Sequence, residues 1–222
     1  IEASFLLDCS GRGSIVGGRY TERRRADSQL AAYSYLTQRD AASAPTPGAM
    51  VESRPDGWWY SAPLPDGRMI VCQFFDADLI DGDTLRVEAE WSQAIARAEL
   101  TSGRIRSTGY AVEGLPVVVD ASTTWLESAT GDHWAAAGDA AAAFDPLSSN
   151  GMSTALWSGR AAALAIDMEL SGDRRGLEDY SSQMESGITN FLRERQEIYG
   201  LEQRFFEEEY WQRRHSRVLE SV

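Results

Sequence analysis

The chain opens on an apolar run, Ala3-Ser4-Phe5-Leu6-Leu7, with the unbroken hydrophobicity of a parallel strand buried on both faces. A glycine-rich turn, Gly11-Arg12-Gly13-Ser14-Ile15-Val16-Gly17, follows it. Tyr20 to Asp27 is charged, and Arg23-Arg24-Arg25 reads as a solvated helix face. Asp27 to Gln38 places Leu30, Ala31 and Tyr35 at helical spacing, but could equally pair as a strand. Ala41 to Gly48 is small and proline-containing, hence a loop. The clearest pattern comes next: Met50–Ser53, Trp58–Leu64 and Arg68–Phe75, joined by Pro55-Asp56-Gly57 and Pro65-Asp66-Gly67, read as an antiparallel meander. Asp83–Leu100 has the 3.6 spacing of an amphipathic helix, and Leu115–Asp120 is an apolar strand. Beyond Gly131 come the run Trp134–Ala137, the segment Gly138–Pro146, and the polar turn Leu147-Ser148-Ser149-Asn150-Gly151. A small-residue helix from Met152 to Leu170 and two amphipathic helices, Arg175–Tyr199 and Leu201–Val218, complete the pattern.

Composition narrows the function. With 222 residues, 43% hydrophobic and 25% charged, the chain can build a sizeable core. Its net charge of −13 repels phosphate backbones and anionic lipid, so neither nucleic acid nor a membrane is an expected partner. No window reaches the roughly 18 consecutive apolar residues of a membrane span. Cys9 and Cys72 lie in separate apolar runs, which suits reduced thiols and a cytoplasmic location. All 21 basic residues are arginine, a mark of genome composition.

Several chemistries fall away. The glycine run after the first strand departs from G-x-G-x-x-G and leads into charge, so it is no dinucleotide loop. His133 and His215 lack a nucleophile motif, and no His/Cys spacing suits a metal. Asp76 and Asp78 read as surface carboxylates. Because Ile1 leads almost directly into a strand with no earlier partner, a preceding portion of the protein is expected.

Three motifs, in order, carry a family likeness: Asp8-Cys9-Ser10-Gly11-Arg12-Gly13, then Gly57-Trp58-Trp59-Tyr60-Ser61-Ala62-Pro63-Leu64-Pro65, then Gly138-Asp139 through Phe144-Asp145-Pro146-Leu147-Ser148-Ser149-Asn150-Gly151. Together, over most of residues 1–170, they resemble the second half of FAD-dependent oxidoreductases of the aromatic hydroxylase and tryptophan-halogenase superfamily. Within it, the chain is most similar to flavoproteins that modify tryptophan during quinone-cofactor maturation. The resemblance implies an α/β (α+β) fold in which a partial Rossmann-like FAD-binding domain is interleaved with an antiparallel-sheet substrate domain and followed by C-terminal helices. Residues 1–26 and 121–171 would belong to the FAD domain, 27–120 to the substrate domain and 172–222 to the helical region; the ADP-binding loop would lie in the preceding portion.

The residues admit this reading on their own terms. Asp139 offers a carboxylate to vicinal hydroxyls, its alanine neighbours let a ring approach the backbone, and the helix after Ser149-Asn150-Gly151 presents free N–H groups. By resemblance, Gly11, Gly138, Asp139, Pro146, Ser149, Asn150, Gly151 and Met152 would hold FAD, Asp139 at the ribityl chain and the helix start at the pyrimidine edge. Trp58 and Tyr60, on one face of a strand, would line a pocket for a small aromatic molecule or a peptidyl tryptophan. Reduced nicotinamide or a flavin reductase would supply electrons. The implied activity is oxidation or monooxygenation of an aromatic substrate; no catalytic residue is assigned. Halogenation is an alternative, but halogenases resemble W-x-W-x-I-P at the second motif, where this chain has Tyr60 and Ala62. The alternative of another class is a binding or scaffolding fragment without flavin.

Overall fold

The structure is a computed structural model that describes residues 2–39 and 47–216. In chain order its strands are β1 (Leu6–Asp8), β2 (Arg23–Arg25), β3 (Gln29–Gln38), β4 (Met50–Arg54), β5 (Gly57–Pro63), β6 (Met69–Asp76), β7 (Tyr110–Asp120), β8 (Thr124–Leu126), β9 (Thr130–Gly131), β10 (Trp134–Ala136) and β11 (Ala142–Ala143). The helices are α1 (Glu88–Arg97), α2 (Glu99–Ser107), α3 (Gly151–Leu170), α4 (Arg175–Tyr199) and α5 (Glu209–His215). They group into two units: Ile1–Asp27 with Ser122–Ile198, and Ser28–Ala121 with Tyr199–Ser216.

In the first unit β1 pairs in parallel with β10, and β9 closes the other side of β10; the burial expected on both faces of β1 is not formed, since Leu6 and Leu7 are both exposed. A second small sheet has the order β11-β8-β2. Alanines Ala136, Ala137 and Ala140–Ala142 let α3 and α4 pack closely, through Ala162 and Ala165 on one and Met184, Ile188 and Leu192 on the other. Tyr180 closes this core, its hydroxyl donating to the Ala136 carbonyl at 2.6 Å. α3 carries only three charged residues, and its outer stripe of Met152, Leu156, Leu164 and Met168 is exposed.

The second unit is an antiparallel sheet of order β4-β5-β6-β3-β7. Its meander turns where the Asp-Gly pairs direct: Gly57 has φ +147°, and a Cβ there would meet the Phe74 carbonyl at 1.9 Å. β3 and β7 shift register between Tyr33 and Tyr35, where β7 carries Gly114 at φ +69° and Pro116, which has no N–H for the ladder. One face carries Leu36, Trp59, Met69, Val71 and Phe75 into a core with Leu85, Trp91 and Ile95.

Four sequence expectations are corrected here. Arg23–Arg25 is a strand and not a helix face, because it pairs with β8. The helix expected over Asp83–Leu100 starts at Glu88 and breaks at Ala98, whose ψ of 94° is extended. The C-terminal helix is confined to Glu209–His215, and the stretch expected as a region of its own divides between the two units. Asp76 is buried rather than on the surface, bonded at 2.7 Å by Arg214. Of the two readings left open for Asp27–Gln38, the strand is the one formed. The expected loop Ala41–Gly48 falls mostly outside the described residues, as does the end of the expected helix at Val218.

Candidate functional site

The tip of β1, the turn after β10 and the start of α3 converge on a cleft of about 480 Å³ in the first unit. Each wall has a local cause. At the β1 tip the Asp8 carboxylate accepts from the Ser10 amide and hydroxyl at 3.0 and 2.6 Å, and from the Val16 and Gly17 amides at 2.7 and 3.0 Å. Burial alone would push its pKa up; these four donors outweigh it and hold Asp8 below the usual carboxylate value. Asp8 therefore folds the loop that presents Cys9 and Gly11 to the cleft.

Gly138–Ala140 forms a single 3-10 turn. Gly138 sits at φ +59°, and a Cβ on it would come within 3.3 Å of the Ala155 methyl. The turn is fastened on several sides: the Gly138 amide donates to Ser158 Oγ at 2.8 Å, Arg23 donates to the Asp139 and Ala140 carbonyls at 3.0 and 3.2 Å, and Ser14 Oγ donates to Ala140 at 2.9 Å. What stays available is the Asp139 side chain, 42% exposed, with Arg12 Nε 3.9 Å from its carboxylate. Arg12 is itself held by the Ser122 carbonyl at 2.6 Å.

The third wall is the start of α3. Asp145 accepts from the Leu147 amide at 3.0 Å to shape the turn through Pro146, and Asn150 supplies no side-chain cap. The N–H groups of the first helical turn, at Gly151 and Met152, are therefore left at the cleft with the positive end of a 20-residue helix. Behind the turn, Arg195 bonds Asp145 at 3.0 Å and Asp27 at 2.8 Å, all three side chains being nearly fully buried.

Of the residues singled out in the sequence, Gly11, Gly138, Asp139, Gly151 and Met152 line this one cleft. Pro146 and Ser149 lie in the turn leading to it, and Asn150 lines a neighbouring pocket with Trp157 and Phe191. A Cβ at Gly11, Gly151 or Gly159 would meet nothing within 4 Å, so the small residues leave room along the cleft. In the second unit, Trp58 is 3% exposed, stacks on Phe74 at 3.9 Å between ring centres and donates to Tyr199 Oη at 3.0 Å. That is a packing role, whereas Tyr60 is half-buried. Sequence reasoning missed Arg12 and Arg23; only the glycines flanking Arg12 hinted at either, since their partners lie more than 100 residues away. Among the described residues no group of His, Cys, Asp and Glu could hold a metal ion, and no helix is long and apolar enough to cross a membrane.

No family model matches the chain. The LodB protein of Marinomonas mediterranea, named "putative FAD-dependent oxidoreductase", is 27% identical over 212 residues, which is 96% of this chain and 56% of LodB. Sulochrin halogenase gedL of Aspergillus terreus is 27% identical over 86% of this chain and 38% of its own length. Among solved structures, the myxobacterial chondrochloren halogenase CndH superposes with a TM-score of 0.82 at 23% identity, over 99% of this chain and 52% of CndH. The peptidyl tryptophan dihydroxylase QhpG superposes with a TM-score of 0.75 at 26% identity, over 97% and 49%. The chain thus spans about half the length, or less, of these proteins. It is a homologue of FAD-dependent oxidoreductases and flavin-dependent halogenases, and it has their α/β fold.

Proposed function

We propose that the chain forms part of an FAD-dependent oxidoreductase acting on an aromatic substrate, and that the first-unit cleft holds the ribityl and ring portion of the flavin. The observation that carries this reading is the convergence of Asp139, the small-residue wall of Gly11, Gly138 and Gly151, and the uncapped start of α3. These groups suit the ligand's chemistry. A half-exposed carboxylate accepts from hydroxyls, glycines admit a planar ring to the backbone, and helix N–H groups favour the negative charge of a reduced pyrimidine edge. Gly138, Ser158 and Arg23 hold the Asp139 backbone in place, and Arg12 Nε lies 3.9 Å from its carboxylate. Bound FAD would supply the redox chemistry, and the chain supplies position and electrostatics.

For the specific activity, halogenation is favoured by the relatives: gedL is a halogenase by name, as are two further relatives from Armillaria mellea. Hydroxylation is the second reading, favoured by Tyr60 and Ala62 in the strand motif and by the likeness to QhpG, a dihydroxylase by name. In either case Tyr60 is the proposed aromatic contact for the substrate, reduced nicotinamide or a flavin reductase the electron source, and the cytoplasm the location. The full-length protein, supplied with FAD, a reductase, chloride or bromide and a panel of phenols, indoles and tryptophan peptides, should yield a product resolvable by mass spectrometry. A halogen isotope pattern decides for halogenation and an added oxygen for hydroxylation. Turnover with neither product across the panel would refute the aromatic-substrate reading.

A further inference from the structure

The second unit contains a cleft of about 480 Å³ that shares no residue with the flavin cleft. It lies where β5 and β6 meet α1, and Trp59 and Gln73, paired across the two strands, both line it. They are 2% and 3% exposed. Around them Leu79, Leu85 and Ala94 make the wall apolar. Gln73 stands out there because its buried Oε1 has no hydrogen-bond partner among the described residues. An unmet acceptor in an apolar wall costs stability that an aliphatic side chain would not, so its presence calls for a donor. The mouth carries Arg54 and Arg97 against Asp56 and Glu90, opposite charges in equal number that select no net ionic charge. The volume falls in the range of small-molecule pockets.

We infer that this cleft is a second binding site, for a small uncharged aromatic compound whose ring carries an N–H or O–H donor. The ring packs on Trp59, Leu79 and Leu85, and the donor meets the Gln73 amide. The inference does not rest on the flavin reading. The test is saturation-transfer NMR titration of the full-length protein with p-cresol and indole, and with their donorless counterparts 4-methylanisole and 1-methylindole, each with and without saturating FAD. p-Cresol and indole should bind the native protein about tenfold more tightly than they bind Gln73→Leu, the ratio expected for one hydrogen bond to a buried acceptor. The methylated compounds should show no such difference, and FAD should change neither result. Gln73→Leu should melt no lower than the native protein. Should it not fold, Thr84→Trp, placed at an exposed position of the mouth, is expected to block p-cresol instead. Unchanged p-cresol affinity in whichever variant folds, or equal binding of 4-methylanisole, overturns the inference and leaves Gln73 solvated by water only.

Discussion

Replacing Asp139 by alanine separates binding from folding, because its carboxylate does so little for the fold. Only its backbone carbonyl takes part in the clamp by Arg23. The side chain is 42% exposed and its ion pair with Arg12 is long, at 3.9 Å. A pair of that kind contributes about 0–1 kcal/mol, which in a protein of this size moves Tm by at most about 4 °C. Toward a bound ribityl chain the same carboxylate would accept one or two charge-assisted hydrogen bonds, each worth about 1.5–3 kcal/mol. Even after discounting for its exposure, FAD affinity should drop by about one to two powers of ten. The assay is paired: thermal melting of the apoprotein, and fluorescence titration with FAD, on one preparation of Asp139→Ala in the full-length protein. The expected result is a near-native melt with weakened FAD binding, and activity restored at high FAD. An unchanged Kd, or a melt lowered by well over 4 °C with no rescue, would refute the reasoning.

Other perturbations probe the scaffold. Arg195→Met removes the cation between the buried carboxylates of Asp27 and Asp145 and should cost about 3–5 kcal/mol in urea unfolding; a loss under about 1 kcal/mol would show that the network is not holding the turn. Burial pushes the Cys72 thiol up to about 12, so iodoacetamide at mild alkaline pH should label exposed Cys9 in the native protein and Cys72 only after denaturation. Since Cys9 lines the proposed flavin cleft, saturating FAD should slow its labelling, and equal rates with and without FAD would count against that placement. Acid stability follows from two ion pairs: Arg204 holds Glu202 at about 2, and Arg213 holds Asp78 at about 2. Both folded values lie below the ordinary 4.5 and 3.8, so this stabilisation is complete above those values and fades as pH falls toward 2. The urea midpoint should accordingly hold from about pH 7 to 5 and then decline, less steeply in Arg204→Met; a native midpoint unchanged at about pH 3 would contradict this.

What the sequence disclosed was whatever local chemistry decides. Asp56-Gly57 and Asp66-Gly67 mark turns because only glycine accepts the positive φ they adopt, and the strands between them follow. Two of the cleft residues were legible for a related reason, since Gly11 and Gly138 sit at positive φ and record that backbone requirement directly in their identities. Where a distant partner decides, the sequence was silent. Arg23–Arg25 becomes a strand only because β8 lies beside it, about 100 residues later in the chain. Asp76 looked like a surface carboxylate because its partner Arg214 is 138 positions away. The C-terminal helix starts only at Glu209, and its Trp211 and Tyr210 are bonded to the Arg54 carbonyl and to Gln29, contacts that no helical period encodes. Trp58 carried an aromatic signature that fits a pocket and a core equally; its hydrogen bond to Tyr199 places it in the core.

The central claim, that this chain belongs to a flavin enzyme, is tested most directly by the visible absorbance of the full-length protein, purified without added cofactor and then titrated with FAD. Flavin bands are expected in the visible, from cofactor carried through purification or taken up on titration, rising to one FAD per chain and released on denaturation. A folded protein that remains colourless and leaves added FAD unbound would contradict it.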